Sequence, residues 1–145
     1  MIMSRNFFTS IKQNIKDLNK IFIREPNGTT ITYGQMVKLS SQFSNMFFQL
    51  GLEKGDRVMM YADKSPEAVI VYVACLRAGF VFTPINPTYT KRELEYFIHD
   101  AMPKVIISDV DKERVILKNK RNSVLSGNNF SRREDYKVFR EYLGL

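Results

Sequence analysis

The sequence predicts an α/β fold. Three short runs are apolar at successive positions, as expected of strands buried on both faces: Arg57–Ala62, Phe80–Thr83 and Val105–Ser108. Segments with helical spacing of apolar residues separate these runs, and the joins between them are short. Alternating strands and helices with short joins predict right-handed crossovers and a short parallel sheet with helices on both faces.

The N-terminal segment predicts a helix followed by a hairpin. Apolar residues recur at helical spacing at Phe7, Phe8, Ile11, Ile15 and Leu18. No apolar block typical of a secretory signal is present. We interpret this helix as docking onto the domain, and an amphipathic transit peptide is the alternative. Ile21–Arg24 and Thr29–Thr32 then flank the turn signal Pro26-Asn27-Gly28, which favours a short β-hairpin.

Capping residues mark the starts of three further helices. Thr32 with Gln35, and Thr90 with Glu93, have the spacing of capping boxes. Ser65 is the predicted N-cap of the intervening helix, with Pro66 at its first position. The helix ends are predicted at glycines or prolines, namely Gly51, Gly79 and Pro103. Pro84 cannot donate to a strand ladder, so we expect the strand before it to end there.

Composition indicates a soluble globular domain. The 145 residues are 44% apolar and 26% charged, and no apolar run is long enough to span a membrane. A single cysteine excludes an internal disulfide and is compatible with a reducing cytoplasm, which is the location we expect.

The charge and the residue composition of the chain change near residue 110. Residues 1–110 carry 13 basic and 10 acidic residues, whereas residues 111–145 carry 9 and 5, so the short second part supplies more than half of the net charge of +7. We expect residues 1–110 to form the ordered α/β portion. We expect residues 111–145 to form a basic, divergent tail, with a possible terminal helix capped by Ser131 and Glu134. A solvated tail explains its charge without any specific nucleic-acid partner.

The candidate reactive residues all have simpler structural interpretations. Cys75 lies in an apolar helix and is expected to be a buried small residue. His99 lies near a helix end, where capping or exposure explains it. Asp63 and Glu67 flank Ser65 and are expected to serve the helix start.

The candidate binding segments have similar explanations. Asn27-Gly28-Thr29-Thr30 has no following lysine and lies in the hairpin turn, and Asn86-Pro87 is typical of a turn. Arg132, Arg133, Lys137 and Arg140 fit a solvated helix face, although an anion could also bind there. No metal-binding or phosphate-loop motif occurs.

Four segments in order resemble one enzyme family. They are ITYGQM at Ile31–Met36, GLEKGDRV at Gly51–Val58, LRAGFVFTPINPTY at Leu76–Tyr89, and ELEYFIHDAMPKVIISD at Glu93–Asp109. Together they resemble the N-terminal part of the adenylate-forming acyl-CoA synthetases, of the AMP-dependent synthetase/ligase superfamily. The segments KSPEA and YVACLRAG are similar to those of the malonyl-CoA synthetases within it. The resemblance covers about three quarters of the chain and implies part of the large N-terminal domain of the ligase fold.

The resemblance implies an ATP-dependent reaction. In this family a carboxylic acid is converted to an acyl-adenylate and then to an acyl-CoA, with ATP, Mg and coenzyme A. The family uses a Ser/Thr/Gly-rich loop ending in Lys, a metal-binding Glu, a ribose-binding Asp and a further Lys. None of these motifs occurs here, so we assign no catalytic, cofactor-binding or metal-binding residue, and we expect no adenylation by this chain alone.

Three hypotheses follow for the role of the chain. The favoured one is a truncated acyl-CoA synthetase, in which residues 111–145 are a non-homologous ending. The second is a split ligase, in which another chain supplies the missing C-terminal portion. The third is a non-catalytic interaction module. An uncovered apolar face would also favour self-association.

Overall fold

The computed structural model describes residues 6–108 and the backbone of residues 123–126. Within these residues the chain contains helices, one antiparallel strand pair and one parallel sheet, which confirms the α/β class. The described residues divide into two compact units, 6–55 with 65–80, and 56–64 with 81–108 and 123–126. None of the described helices combines the length and apolar character needed to cross a membrane.

The first unit begins with helix α1, Phe7–Asn14, which is shorter than the sequence predicts. The Asn6 side chain accepts a hydrogen bond from the Phe8 N–H and caps the helix start. The prediction of helical structure through Leu18 is wrong, because Ile15 is already extended. The Asp17 carboxylate accepts a hydrogen bond from the Asn19 N–H, and such local bonding offers the backbone an alternative to the helix.

The predicted hairpin forms from β1, Ile21–Arg24, and β2, Thr30–Thr32. The two strands pair in antiparallel orientation. Gly28 lies at the turn with φ of 91°, a conformation that favours glycine over residues with a side chain.

Helix α2, Tyr33–Gln49, starts at the predicted capping box. The Gln35 N–H donates to the Thr32 hydroxyl at 3.2 Å, and the Thr32 N–H donates to the Gln35 side-chain oxygen at 2.7 Å. Its buried face includes Met36 and Phe47, which are at most 1% exposed. The periodicity of the sequence therefore predicts the buried face of α2 correctly.

Helix α3, Pro66–Ala78, packs against α2 in the same unit. The Ser65 hydroxyl accepts from the Ala68 N–H, and Gly79 ends the helix in the left-handed conformation, as predicted. A buried hydrogen bond of 3.0 Å joins the two helices, from the Ser44 hydroxyl to the Ala74 carbonyl. The same hydroxyl lies 2.8 Å from the Ser40 carbonyl, so this buried group has acceptors in both helices.

The second unit contains a parallel sheet of β3, Arg57–Tyr61; β4, Val81–Pro84; β5, Val105–Ser108; and β6, Ser123–Ser126. The strand order is β4-β3-β5-β6, and all three pairings are parallel. Strand β4 ends at Pro84 as expected, although Pro84 itself pairs with Met60 and so extends the predicted run Phe80–Thr83 by one residue. Proline is tolerated there because β4 is an edge strand in the described sheet.

Strand β6 lies in the segment for which the sequence predicts no element. Its backbone pairs with β5 from Ser123 to Ser126. The predicted terminal helix after Ser131 lies outside the described residues.

Helix α4, Lys91–Ala101, covers one face of this sheet. Leu94 and Ile98 pack with Met59, Tyr61 and Ile106 in one buried cluster, which also includes Ile85. Leu94 is fully buried, and burying a leucine side chain contributes about 1.5–3 kcal/mol. The strand residues on the opposite face, including Val58 and Val105, are also buried, as the apolar runs predict.

The capping box of α4 predicts a pH-dependent stability. The Thr90 hydroxyl and the Thr90 N–H both donate to the Glu93 carboxylate, at 2.7 and 2.8 Å, and these bonds lower the pKa of Glu93 below its ordinary value. A lowered folded-state pKa means that this contribution is complete above about pH 4.3 and is lost as the pH falls further.

We therefore expect Glu93→Gln to remove part of the acid sensitivity of the chain. Urea unfolding monitored by circular dichroism between pH 3 and 7 measures it. Glu95→Gln is the matched control, because Glu95 forms only an exposed contact of 3.6 Å with Lys91. An identical pH profile for Glu93→Gln and wild type would contradict the assignment.

The buried cysteine predicts an unreactive thiol. Cys75 lies within α3 and is fully buried, and burial raises the pKa of its thiol from 9.0 to about 12. Because the thiolate is the reactive form, we expect alkylation by iodoacetamide at pH 8 to be negligible in the folded chain and rapid in urea. Mass spectrometry after timed quenching measures this. Fast alkylation without denaturant would show that the helix opens or that the thiol is accessible.

Candidate functional site

The reactive residues suggested by the sequence are not gathered into a catalytic cluster. Cys75 is buried in α3 of the first unit, whereas His99 lies exposed in the last turn of α4 in the second. Among the described residues no group of three or more His, Cys, Asp or Glu side chains could hold a metal ion. Neither nucleophilic catalysis by Cys75 nor metal binding gains support from this geometry.

The acidic candidate Glu67 and the glycine-containing turn both have structural roles. Glu67 lies in the first turn of α3, where a carboxylate favours the helix dipole. In the hairpin turn, the Gly28 N–H donates to the Glu25 carbonyl, and the Thr29 N–H donates to the Asn27 side chain. Because these N–H groups already have partners, the turn resembles a hairpin connection and not a phosphate cradle.

The Asn86-Pro87 segment also forms a turn. The Asn86 side-chain oxygen accepts from the Thr88 N–H and the Thr88 hydroxyl, at 3.0 and 2.9 Å. The Tyr89 N–H donates to the Asn86 carbonyl. These bonds fix the chain immediately before the Thr90 cap of α4. Arg132, Arg133, Lys137 and Arg140 lie outside the described residues.

The carboxyl ends of β3 and β5 lie side by side at one end of the parallel sheet. Tyr61 and Ser108 are paired across these strands. The Tyr61 hydroxyl donates to the Tyr89 carbonyl at 3.1 Å, whereas the buried Ser108 hydroxyl has no hydrogen-bond partner among the described residues. From β3 the chain crosses to β4 on one side of β3, and it then crosses back to β5 on the other side. Open α/β sheets bind ligands outside the carboxyl ends of strands at such a reversal.

A second polar site lies in the first unit, where α1 meets the last turn of α3. The Arg77 guanidinium donates to the Val37 carbonyl at 3.1 Å and lies 4.8 Å from the centre of the Phe8 ring. The Arg77 carbonyl accepts from the Asn6 side chain at 3.0 Å. Arg77 therefore connects all three helices of the unit. Lys12 lines the same pocket as Arg77.

Sequence reasoning did not identify Ser108 or the pair of Lys12 and Arg77 as site residues. Ser108 is a lone hydroxyl at the end of an apolar run, a weak signal that a buried polar atom is present there. Lys12 and Arg77 are far apart in sequence, and no spacing rule relates them. Their proximity emerges only when α1 and α3 pack together.

Comparison with known proteins identifies the family. The chain matches the family described as AMP-binding enzyme over residues 12–138. It is 36% identical over 105 residues to an acetyl-coenzyme A synthetase of Emericella nidulans, which covers 69% of this chain and 16% of that protein. A long-chain-fatty-acid–CoA ligase of Bacillus subtilis is 47% identical over 58 residues, covering 40% of this chain and 10% of the ligase.

Solved structures show the same relationship. ATP-bound MatB from Rhodopseudomonas palustris has 31% sequence identity and a TM-score of 0.81, covering 98% of this chain and 28% of MatB. Apo MatB has 34% identity and a TM-score of 0.77, covering 86% of this chain and 25% of MatB.

The chain thus spans between a tenth and under a third of each of these proteins. The family match extends past the recognised motifs, from residue 12 to residue 138, and confirms the resemblance seen in the sequence. On this match, the chain belongs to the AMP-binding enzyme family.

Proposed function

We propose that this chain forms an N-terminal scaffold portion of an acyl-CoA synthetase similar to malonyl-CoA synthetase. The parent activity is ATP-dependent conversion of a carboxylic acid to an acyl-adenylate and then to an acyl-CoA. The MatB structure with bound ATP and the acetyl-coenzyme A synthetase relative support this class of reaction. The malonate specificity rests on the sequence resemblance and on the similarity to MatB.

One observation carries the scaffold role: the family motifs form caps, turns and core in this structure. Thr32 and Gln35 of ITYGQM make a capping box, and Gly79 of LRAG takes the left-handed conformation at a helix end. Glu93 and Leu94 of the last motif supply a helix cap and a fully buried core residue. These roles position secondary structure and require no contact with substrate.

The chemistry of adenylation needs groups that this sequence does not contain. Negative charge that develops on the leaving pyrophosphate requires preorganised positive charge around the phosphates. The 145 residues have no Ser/Thr/Gly-rich loop ending in Lys, and the described residues form no metal site. We therefore assign no step of the reaction to a residue of this chain.

An exposed apolar stripe on α3 supports contact with further protein. Val69 and Tyr72 lie one helical turn apart and are 38% and 42% exposed. Exposed apolar side chains on one helix face are typical of surfaces that meet another polypeptide. A C-terminal portion of an acyl-CoA synthetase is the partner we propose, and self-association is the alternative. The same stripe would serve a non-catalytic interaction module.

Pyrophosphate exchange tests the proposed activity. We expect the purified chain to show no malonate-dependent exchange of labelled pyrophosphate into ATP above the rate without acid. Acetate is the matched acid control. Exchange by the chain alone would overturn the proposal. Exchange that appears only after addition of the product of an adjacent reading frame would establish a split ligase.

Light scattering coupled to size-exclusion chromatography tests the apolar stripe. We expect the wild-type chain to self-associate as its concentration rises, and Tyr72→Ser to reduce the associated fraction severalfold because it removes exposed apolar area. Tyr96→Ser is the control, since Tyr96 is 65% exposed but lies on α4. A monodisperse wild-type monomer would favour an autonomous interaction module.

A further inference from the structure

We propose that Lys12 and Arg77 form an anion site for a phosphate-bearing small molecule. The site lies in the pocket between α1 and the last turn of α3, within the first unit. It goes beyond the scaffold role, although Arg77 also joins the three helices of the unit.

Arg77 is held rigidly by neutral groups. Its guanidinium is half-buried, donates one hydrogen bond to the Val37 carbonyl and lies over the Phe8 ring. A guanidinium carries five N–H donors, so most of them remain available after this bond. The rigid fork is therefore preorganised, and less conformational entropy is lost when it binds an anion.

No carboxylate of the described residues lines this pocket. Its lining residues are Asn6, Phe8, Thr9, Lys12, Gln13 and Arg77, and none is acidic. Within the described part of the chain, neither Lys12 nor Arg77 forms an ion pair. A partly buried cation without a counter-charge is electrostatically unfavourable, and a bound anion would supply that counter-charge.

The set of donors favours phosphate over carboxylate. The guanidinium can bind two oxygens side by side, and the Lys12 ammonium adds a second positive charge. The Thr9 hydroxyl and the Gln13 amide, which line the same pocket, add neutral donors. This set provides donors for the three or more oxygens of a phosphate group, whereas a carboxylate offers two.

The size of the pocket indicates a ligand larger than inorganic phosphate. Its volume is about 550 Å³. The pocket is open to solvent on one side, so a ligand larger than inorganic phosphate can extend from it.

Nuclear magnetic resonance titration of the full chain tests the site. Inorganic phosphate and glycerol 3-phosphate are added at low ionic strength, and the Arg77 Nε–H and the α1 amides are followed. We expect saturable chemical-shift changes, with a higher affinity for glycerol 3-phosphate than for inorganic phosphate. Lys12→Gln should weaken binding about tenfold or more, because a charge-assisted hydrogen bond is lost. Lys12 is exposed, so this variant should keep its fold.

Lys16→Gln is the matched control, because Lys16 is an exposed lysine nearby that does not line this pocket. We expect its affinity for glycerol 3-phosphate to remain within twofold of wild type. Equal weakening by both variants, or shifts that do not saturate, would overturn the proposal in favour of a diffuse basic surface. Malonate that binds as tightly as glycerol 3-phosphate would overturn the phosphate assignment.

Sedimentation with lipid vesicles distinguishes a soluble ligand from a lipid headgroup. The chain is sedimented with vesicles of phosphatidylcholine alone or with phosphatidylglycerol. We expect no Lys12-dependent sedimentation with either composition. Sedimentation with the phosphatidylglycerol vesicles that Lys12→Gln abolishes would overturn the small-molecule assignment.

Discussion

The position of β3 between β4 and β5 is the constraint on which the second unit depends. The strand pairs with β4 on one side and with β5 on the other, so its backbone polar groups are satisfied although its side chains are buried on both faces. Parallel neighbours cannot be joined by tight turns, so the chain needs α3 and α4 between successive strands. This connectivity places the carboxyl ends of β3 and β5 at one edge of the sheet. Ser108, whose hydroxyl has no hydrogen-bond partner in the described part of the chain, lies at that end of β5.

Arg77 has a comparable role in the first unit. Its side chain joins α2 through the Val37 carbonyl and α1 through the Phe8 ring, while its own backbone belongs to α3. A guanidinium suits this role because its planar face stacks on an aromatic ring while its edge donates hydrogen bonds. The motif LRAG, which identifies the family, thus contains a residue with a structural function. Family motifs of this kind indicate ancestry more directly than they indicate chemistry.

The helix caps and buried strands could be predicted from the sequence because each depends on residues close together in the chain. Thr32, Ser65 and Thr90 cap helices as their spacing indicates, and the apolar runs become buried strands. Features that depend on long-range packing could not be predicted. Strand β6 forms by pairing with β5 in a segment without strand periodicity, and Lys12 and Arg77 line one pocket only because of tertiary structure. Local competition also shortened α1, where the Asp17 side chain bonds to the backbone.

The presence of Pro84 in β4 limits how copies of this chain can assemble. β4 is a four-residue edge strand in the described sheet, and an additional strand placed beside it would find no N–H donor at Pro84. Short edge strands and prolines both oppose extension of a sheet from one molecule to the next. Extension of the sheet along the hydrogen-bonding direction is therefore disfavoured at β4, whereas side-chain contacts between copies are unaffected by Pro84.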